Sequence, residues 1–225
     1  MSGLLPMGAE LPGELVLLDL LQIADRSFPT GSFVHSHGLE WLAKQPSFDL
    51  ASVLQMRVHE QLVRFELPFL IKSYTLEAVE LDARFHAMLL PRESREASLQ
   101  VGRQFLRNAR DLFPALAECD QADRLPYGHY PIAFGIVAHA LGIAAPSAAL
   151  VYAFQSVRGQ ISAAQRLTRL GQTEAQRLLH GLKPALRDAV QQALAYPIEE
   201  AIPFMPLLDI ASMAHERAAV RLFVS

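Results

Sequence analysis

His35 and His37, followed closely by Glu40, are the first residues whose types could hold a metal ion. An i, i+2 pair inside one helix points to different faces. Two such imidazoles share an ion only from extended backbone or across two subunits. Hydrogen bonding within a turn is the plainer role, and no metal set is assigned. His215 and Glu216 open like a zinc-protease helix, but Ala219 stands where the second histidine is required, so that reading fails. His129 and Tyr130 could pair as acid and base at a helix start. No serine or cysteine with a partnered base can be read from spacing, so a structural hydrogen-bonding role is expected. Cys119 lies between Glu118 and Asp120, a setting that disfavours a nucleophilic thiolate. Neither a G-x-x-x-x-G-K-[ST] loop nor a G-x-G-x-x-G turn is present, so a nucleotide, if one matters, belongs to a partner. No catalytic residue and no cofactor is expected.

The loop carrying these histidines is pinned between helices. Pro29, Thr30, Gly31, Ser32 and Ser36 cannot comfortably continue a helix, because proline lacks an N–H and small polar side chains compete for backbone hydrogen bonds. A helix over residues 15–24 leads in, and a short one over 36–44 leads out. Such a held, glycine-bearing loop is where function tends to sit.

The 225 residues are 51% hydrophobic and 19% charged, with mean hydropathy +0.18. They suffice for one domain with a substantial core, with apolar faces left for a partner or second copy. Net charge −3 and pI near 6.2 give no basic footprint for nucleic acid. One cysteine allows no internal disulfide and suits a reducing compartment. The N-terminal apolar run lacks the preceding Lys or Arg of a secretory signal, which points to the cytoplasm.

Periodicity predicts an all-α bundle of about ten helices, with no stretch alternating at period two and so no sheet. Residues 1–13 read as a mobile arm. Leu50, Leu54, Val58, Leu62, Phe65 and Phe69 form one stripe, which Pro68 should kink or divide. Helices follow over 77–90 and from 93 to Pro114, the latter turning Arg95, Arg103, Arg107 and Arg110 to water or a partner. Residues 120–126 read as a turn. The uncharged run 132–154 is long enough to span a bilayer, but Pro146 and Ser147 split it into buried helices over 131–141 and 147–167. Gly128, Gly135 and Gly142 are expected to let these two approach closely. Gly171 is expected to end a helix in the left-handed conformation and Thr173 to cap the next, which Pro184 should bend. A last helix over 207–217 precedes an apolar tail over 218–225, read either as an interface anchor or as folding back on the bundle.

Four segments resemble the urease accessory protein UreF family in the right order: FPTGSFVHSHGLEW at 28–41, HYPIAFGIVAHALGI at 129–143, ISAAQRLTRLGQTEAQRLL at 161–179 and PLLDIASMAHERAAVRLFVS at 206–225. The third is the most specific, through Arg166, Leu170, Gly171, Gln172, Thr173, Gln176 and Arg177. The resemblance implies an all-helical, non-enzymatic accessory protein. It implies a homodimer bridging UreD or UreH to the nickel-carrying GTPase UreG, in an assembly that loads nickel onto apo-urease. Partner-binding residues are then expected in the loop, at Gly31, Phe33, His35, Ser36, His37, Gly38 and Glu40. Others are expected in the third segment, at Arg166, Gln172 and Arg177, and in the tail, at His215, Glu216, Arg217, Arg221, Leu222, Phe223 and Ser225. His35 and Val220 depart from the family's frequent tyrosine and serine. The rival readings are a helical metal-dependent hydrolase and a membrane-associated helical protein.

Overall fold

A computed structural model of the chain describes residues 12–31, 38–117, 119–215 and 223. Among them every regular element is helical and there is no strand, as the periodicity predicts. The α-helices are α1 Pro12–Ile23, α2 Leu39–Leu42, α3 Leu50–Met56, α4 Leu67–Lys72, α5 Ala78–Met88, α6 Arg92–Leu112, α7 Asp120–Arg124, α8 Tyr130–Ala140, α9 Ala145–Leu167, α10 Gln172–Ala195 and α11 Pro206–His215. Prolines mark several starts: Pro131 and Pro146 occupy first turns, and Pro91 precedes α6. There a missing N–H costs no intrahelical bond.

The rod from α3 to α4 is continuous but changes pitch, since Arg57–Glu66 between them is a ten-residue π-helix. Polar spacing explains why that segment is wound wide. Arg57 and Glu66 are nine apart and hydrogen-bonded at 3.3 Å, and Gln61, five before Glu66, donates to the same carboxylate at 3.1 Å. At about 3.6 residues per turn, nine residues end on opposite faces. At about 4.4 they return to the same face after two turns. The buried ion pair therefore belongs to the π register alone. Pro68 lies in the first turn of α4, where the pitch reverts, so it neither breaks nor ends the rod.

α8 is the central helix. Its residues 131–138 are all buried, between α4, α6 and α9, with α10 packed along α9 and the π segment. A cluster of rings fills the space around it, with Phe65 stacked on Phe85 at 4.3 Å and Phe105 on Phe134 at 5.5 Å. Gly135 permits the α4–α8 contact, because a Cβ there would overlap Ser73 Oγ and the Leu70 carbonyl. The expected glycine contact between α8 and α9 is thus corrected. The partner of Gly135 is α4, and Gly142 makes a left-handed turn with open space around it. No helix among the described residues is long and apolar enough to cross a membrane.

Two local expectations fail. Residues 120–126 are not all turn, since α7 forms over Asp120–Arg124 with Asp120 and Asp123 in its first turn, where carboxylates favour the helix dipole. Gly171 is extended at φ −70°, not left-handed, and stands at the N-cap of α10 with Thr173 already inside the helix. The chain leaves α9 extended at Thr168, so no left-handed residue is needed to turn it. Pro184 lies within α10, which runs on through it.

Candidate partner-docking site

Three sequence-distant stretches meet beside α2. Gly31 and Gly38 flank the loop with φ +74° and +81°, conformations that a side chain resists. Gly38 precedes α2 directly, so the first turn delivers Leu39 and Glu40 inward, both buried. Leu39 packs with Ala163 and Ala164 of α9 and with Phe223, while Phe48, Val53 and Leu167 close the cluster. The Phe223 backbone N–H donates to Glu40 Oε2 at 3.3 Å across 183 residues. Lys44 Nζ lies 3.5 Å from Glu40 Oε1. The Arg166 guanidinium covers the Phe223 ring, 4.6 Å from its centroid. The charge on Glu40 is thus met by an ammonium and a backbone N–H, as a buried carboxylate requires.

Of the expected docking residues, Glu40, Arg166 and Phe223 come together here, with Gly38 at the edge. Gln172 is exposed at the start of α10 and accepts from Gln165 Nε2 at 3.0 Å. Arg177 is exposed further along α10, in a surface hollow with Phe154, His180 and Lys183, apart from the Phe223 cluster. Phe33, His35, Ser36, His37, Glu216, Arg217, Arg221, Leu222 and Ser225 lie outside the described residues, as do the 1–11 arm and most of the tail; of His215 only its place at the end of α11 is described. For the tail, Phe223 folds back onto its own chain.

The histidine expected to be structural is so placed. His129 is fully buried, with Nε2 3.1 Å from His86 Nδ1 and Nδ1 3.0 Å from Ser98 Oγ. Asp82 accepts the N–H groups of Tyr127, Gly128 and His129 at 2.8 to 2.9 Å and fixes the start of α8. Burial first, then the nearby His86, Arg103 and Arg95, pushes His129 down to about 3. A base held so far down is poorly matched to taking the Ser98 proton at neutral pH. No group of three or more His, Cys, Asp or Glu among the described residues is disposed to hold a metal.

Sequence reasoning missed the buried set Arg57, Gln61, Glu66, Tyr152 and Ser156. The Tyr152 hydroxyl donates to Glu66 Oε2 at 3.0 Å, and Ser156 Oγ accepts from Arg57 at 3.1 and 3.3 Å. A signal existed: polar residues spaced four and five apart, within a stripe stepping by four from Leu50 to Leu62, fit a turn wider than an α-helix.

The architecture defines an all-α protein. The UreF family model matches residues 47–183. A urease accessory protein UreF from Bacillus sp. (strain TB-90) is 31% identical over 93% of this chain and 99% of its own length. The protein of the same name from Arthrobacter sp. (strain FB24) is 34% identical over 92% and 96%, and that from Ureaplasma urealyticum 31% over 94% and 97%. The chain belongs to the UreF family.

Proposed function

We propose that this protein acts in urease maturation as a non-catalytic scaffold. It joins a UreD/UreH-type accessory protein to the GTPase UreG and makes nickel delivery to apo-urease depend on the partner's nucleotide. The observation that carries the reading is near full-length similarity to proteins named urease accessory protein UreF. A scaffold works through a coupling free energy between its partners, so it needs surfaces in place of a reaction centre. Two kinds of surface support the reading. One is the Glu40, Arg166 and Phe223 junction, where the loop and tail motifs meet. The other is a set of exposed apolar residues: Leu15, Leu18 and Leu21 on α1, and Phe204, Leu207, Ile210 and Met213 at α11. Apolar area of that extent calls for cover, by the partners and by a second copy in a cytoplasmic homodimer.

Co-purification with UreG and the UreD/UreH protein, scored for a complex and for urease activation, tests the reading. Removal of residues 216–225 should abolish both. Normal urease activation in a host lacking this chain overturns it.

A further inference from the structure

A cavity of about 210 Å³ lies between the π segment, α9, the start of α6 and α11. One side of its polar lining carries Arg57, Glu66, Tyr130, Tyr152, Gln155 and Ser156. The hydrogen-bond inventory of that side is lopsided.

Glu66 is spent. One oxygen accepts from Arg57 and Gln61, the other from Tyr152. Arg57 uses Nε and Nη2 on Ser156 and Glu66. Its Nη1 has no hydrogen-bond partner among the described residues, and Arg57 lines the cavity. Ser156 Oγ accepts both Arg57 bonds and keeps its own proton to give. The Tyr130 hydroxyl accepts from Gln155 Nε2 at 2.8 Å and likewise keeps its proton. If the Gln155 amide is turned over, the phenol donates to it and an N–H faces the cavity instead, so a donor remains either way. Burial raises both tyrosines above their ordinary value, so they stay protonated donors at neutral pH.

Charge points the same way. Among the described lining residues, Arg26, Arg57, Arg158 and Arg166 stand against Asp25, Glu66 and Asp209. Asp25 is engaged by the Ser27 N–H and hydroxyl. Asp209 is shifted toward its neutral form by burial. Unspent donors beside a guanidinium, with the nearest carboxylate already engaged through both oxygens, suit a ligand that accepts hydrogen bonds and carries negative charge.

We propose that this cavity is a binding site for a small carboxylate, held by Arg57 Nη1 and the hydroxyls of Tyr130 and Ser156. A space of about 210 Å³ suffices for an acid of a few carbons. The site adjoins the Phe223 junction, sharing Ala163 and Arg166 with it, and does not depend on the scaffold reading.

The test uses the full chain with acetate as probe. Carbon-13 acetate is titrated at fixed pH against chloride at matched ionic strength, and NMR line broadening of the probe and thermal stability are followed. Wild type should show saturable millimolar binding that chloride does not reproduce. Tyr130→Phe and Ser156→Ala each keep the packing and remove one donor, and each should weaken binding about tenfold, the worth of one hydrogen bond to a charged group. Arg57→Lys should abolish it. Should Arg57→Lys not fold, the two milder variants decide the matter. Absence of saturable binding, an equal effect of chloride, or unchanged affinity in both Tyr130→Phe and Ser156→Ala overturns the proposal.

Discussion

Replacing Arg57 with methionine leaves the Glu66 carboxyl without its ion-pair partner in a site where both side chains of the pair are only 10% exposed. Removing one partner of a buried ion pair costs about 3–5 kcal/mol, because the survivor keeps its desolvation penalty without compensation. Glu66→Gln is the mirror experiment. It preserves shape and an acceptor for Tyr152 but strands the Arg57 guanidinium, at a similar cost. In the double variant both charges are gone; the amide oxygen that replaces one carboxylate oxygen still accepts from Tyr152, and its NH2 faces Gln61, whose own amide turns over to accept. What remains is a weakened hydrogen-bond set, about 1 kcal/mol. The double variant should therefore be more stable than either single one, with a coupling of about 5 kcal/mol or more. Equilibrium urea unfolding at neutral pH, followed by far-UV circular dichroism, gives the three free energies. Hydrogen exchange over residues 57–66 supplies a second readout. The pair stacks only in the wide register, so amides there should lose protection in both single variants. Additivity of the two single effects to within about 0.5 kcal/mol would refute the argument that this pair acts as one buried unit.

Other outcomes follow from single contacts. Gly135→Ala puts a Cβ into Ser73 Oγ and the Leu70 carbonyl and should cost about 1–3 kcal/mol in urea unfolding. Adding Ser73→Ala should recover only part, since the carbonyl stays. Arg166→Ala removes the guanidinium above Phe223, and with Arg166 at the surface it should lower stability by no more than about 1 kcal/mol. Phe223→Ala should leave global unfolding nearly unchanged while making the tail far more sensitive to carboxypeptidase, because the ring holds a terminal segment. Its folded value lowered to about 3, His129 should contribute stability that is complete above pH 6.5. As pH falls the unfolded chain takes up the proton first, so that contribution is lost at about 1.4 kcal/mol per pH unit down toward pH 3. His129→Gln should flatten this part of the stability profile, and an unchanged slope would remove His129 as its source.

Helix placement was legible wherever proline or a single apolar stripe governed it. Pro91, Pro131 and Pro146 stand at or beside the starts of α6, α8 and α9 because fixed φ and a missing N–H suit that place alone. Legibility ended where a choice depended on something far along the chain. Gly171 carries the residue type of a left-handed stop, yet the exit path of Thr168 makes it a cap instead. Asp120 and Asp123 resemble turn residues because polarity alone does not distinguish a solvated turn from a short helix with carboxylates in its first turn. His86 gave no signal at all, for its partner His129 lies 43 residues away.

The candidate junction shows the same division. The loop, α9 and tail motifs could each be picked out as strings, but nothing in the strings says that Glu40 accepts from the backbone of Phe223. That contact follows from burial. Gly38 starts α2 in a conformation that turns the first helical residues inward, and a carboxylate taken inward must find donors. Lys44, one turn on, supplies a charge from the surface, and the tail supplies a backbone N–H. The ring of Phe223 then completes the apolar cluster under Arg166. Loop and tail are coupled through one carboxylate, so Glu40→Gln should loosen the tail without touching it. Carboxypeptidase sensitivity of the tail should rise in Glu40→Gln as it does in Phe223→Ala, and should rise less when both substitutions are present than their separate effects combined. Independent effects would mean that Phe223 is held by its ring alone.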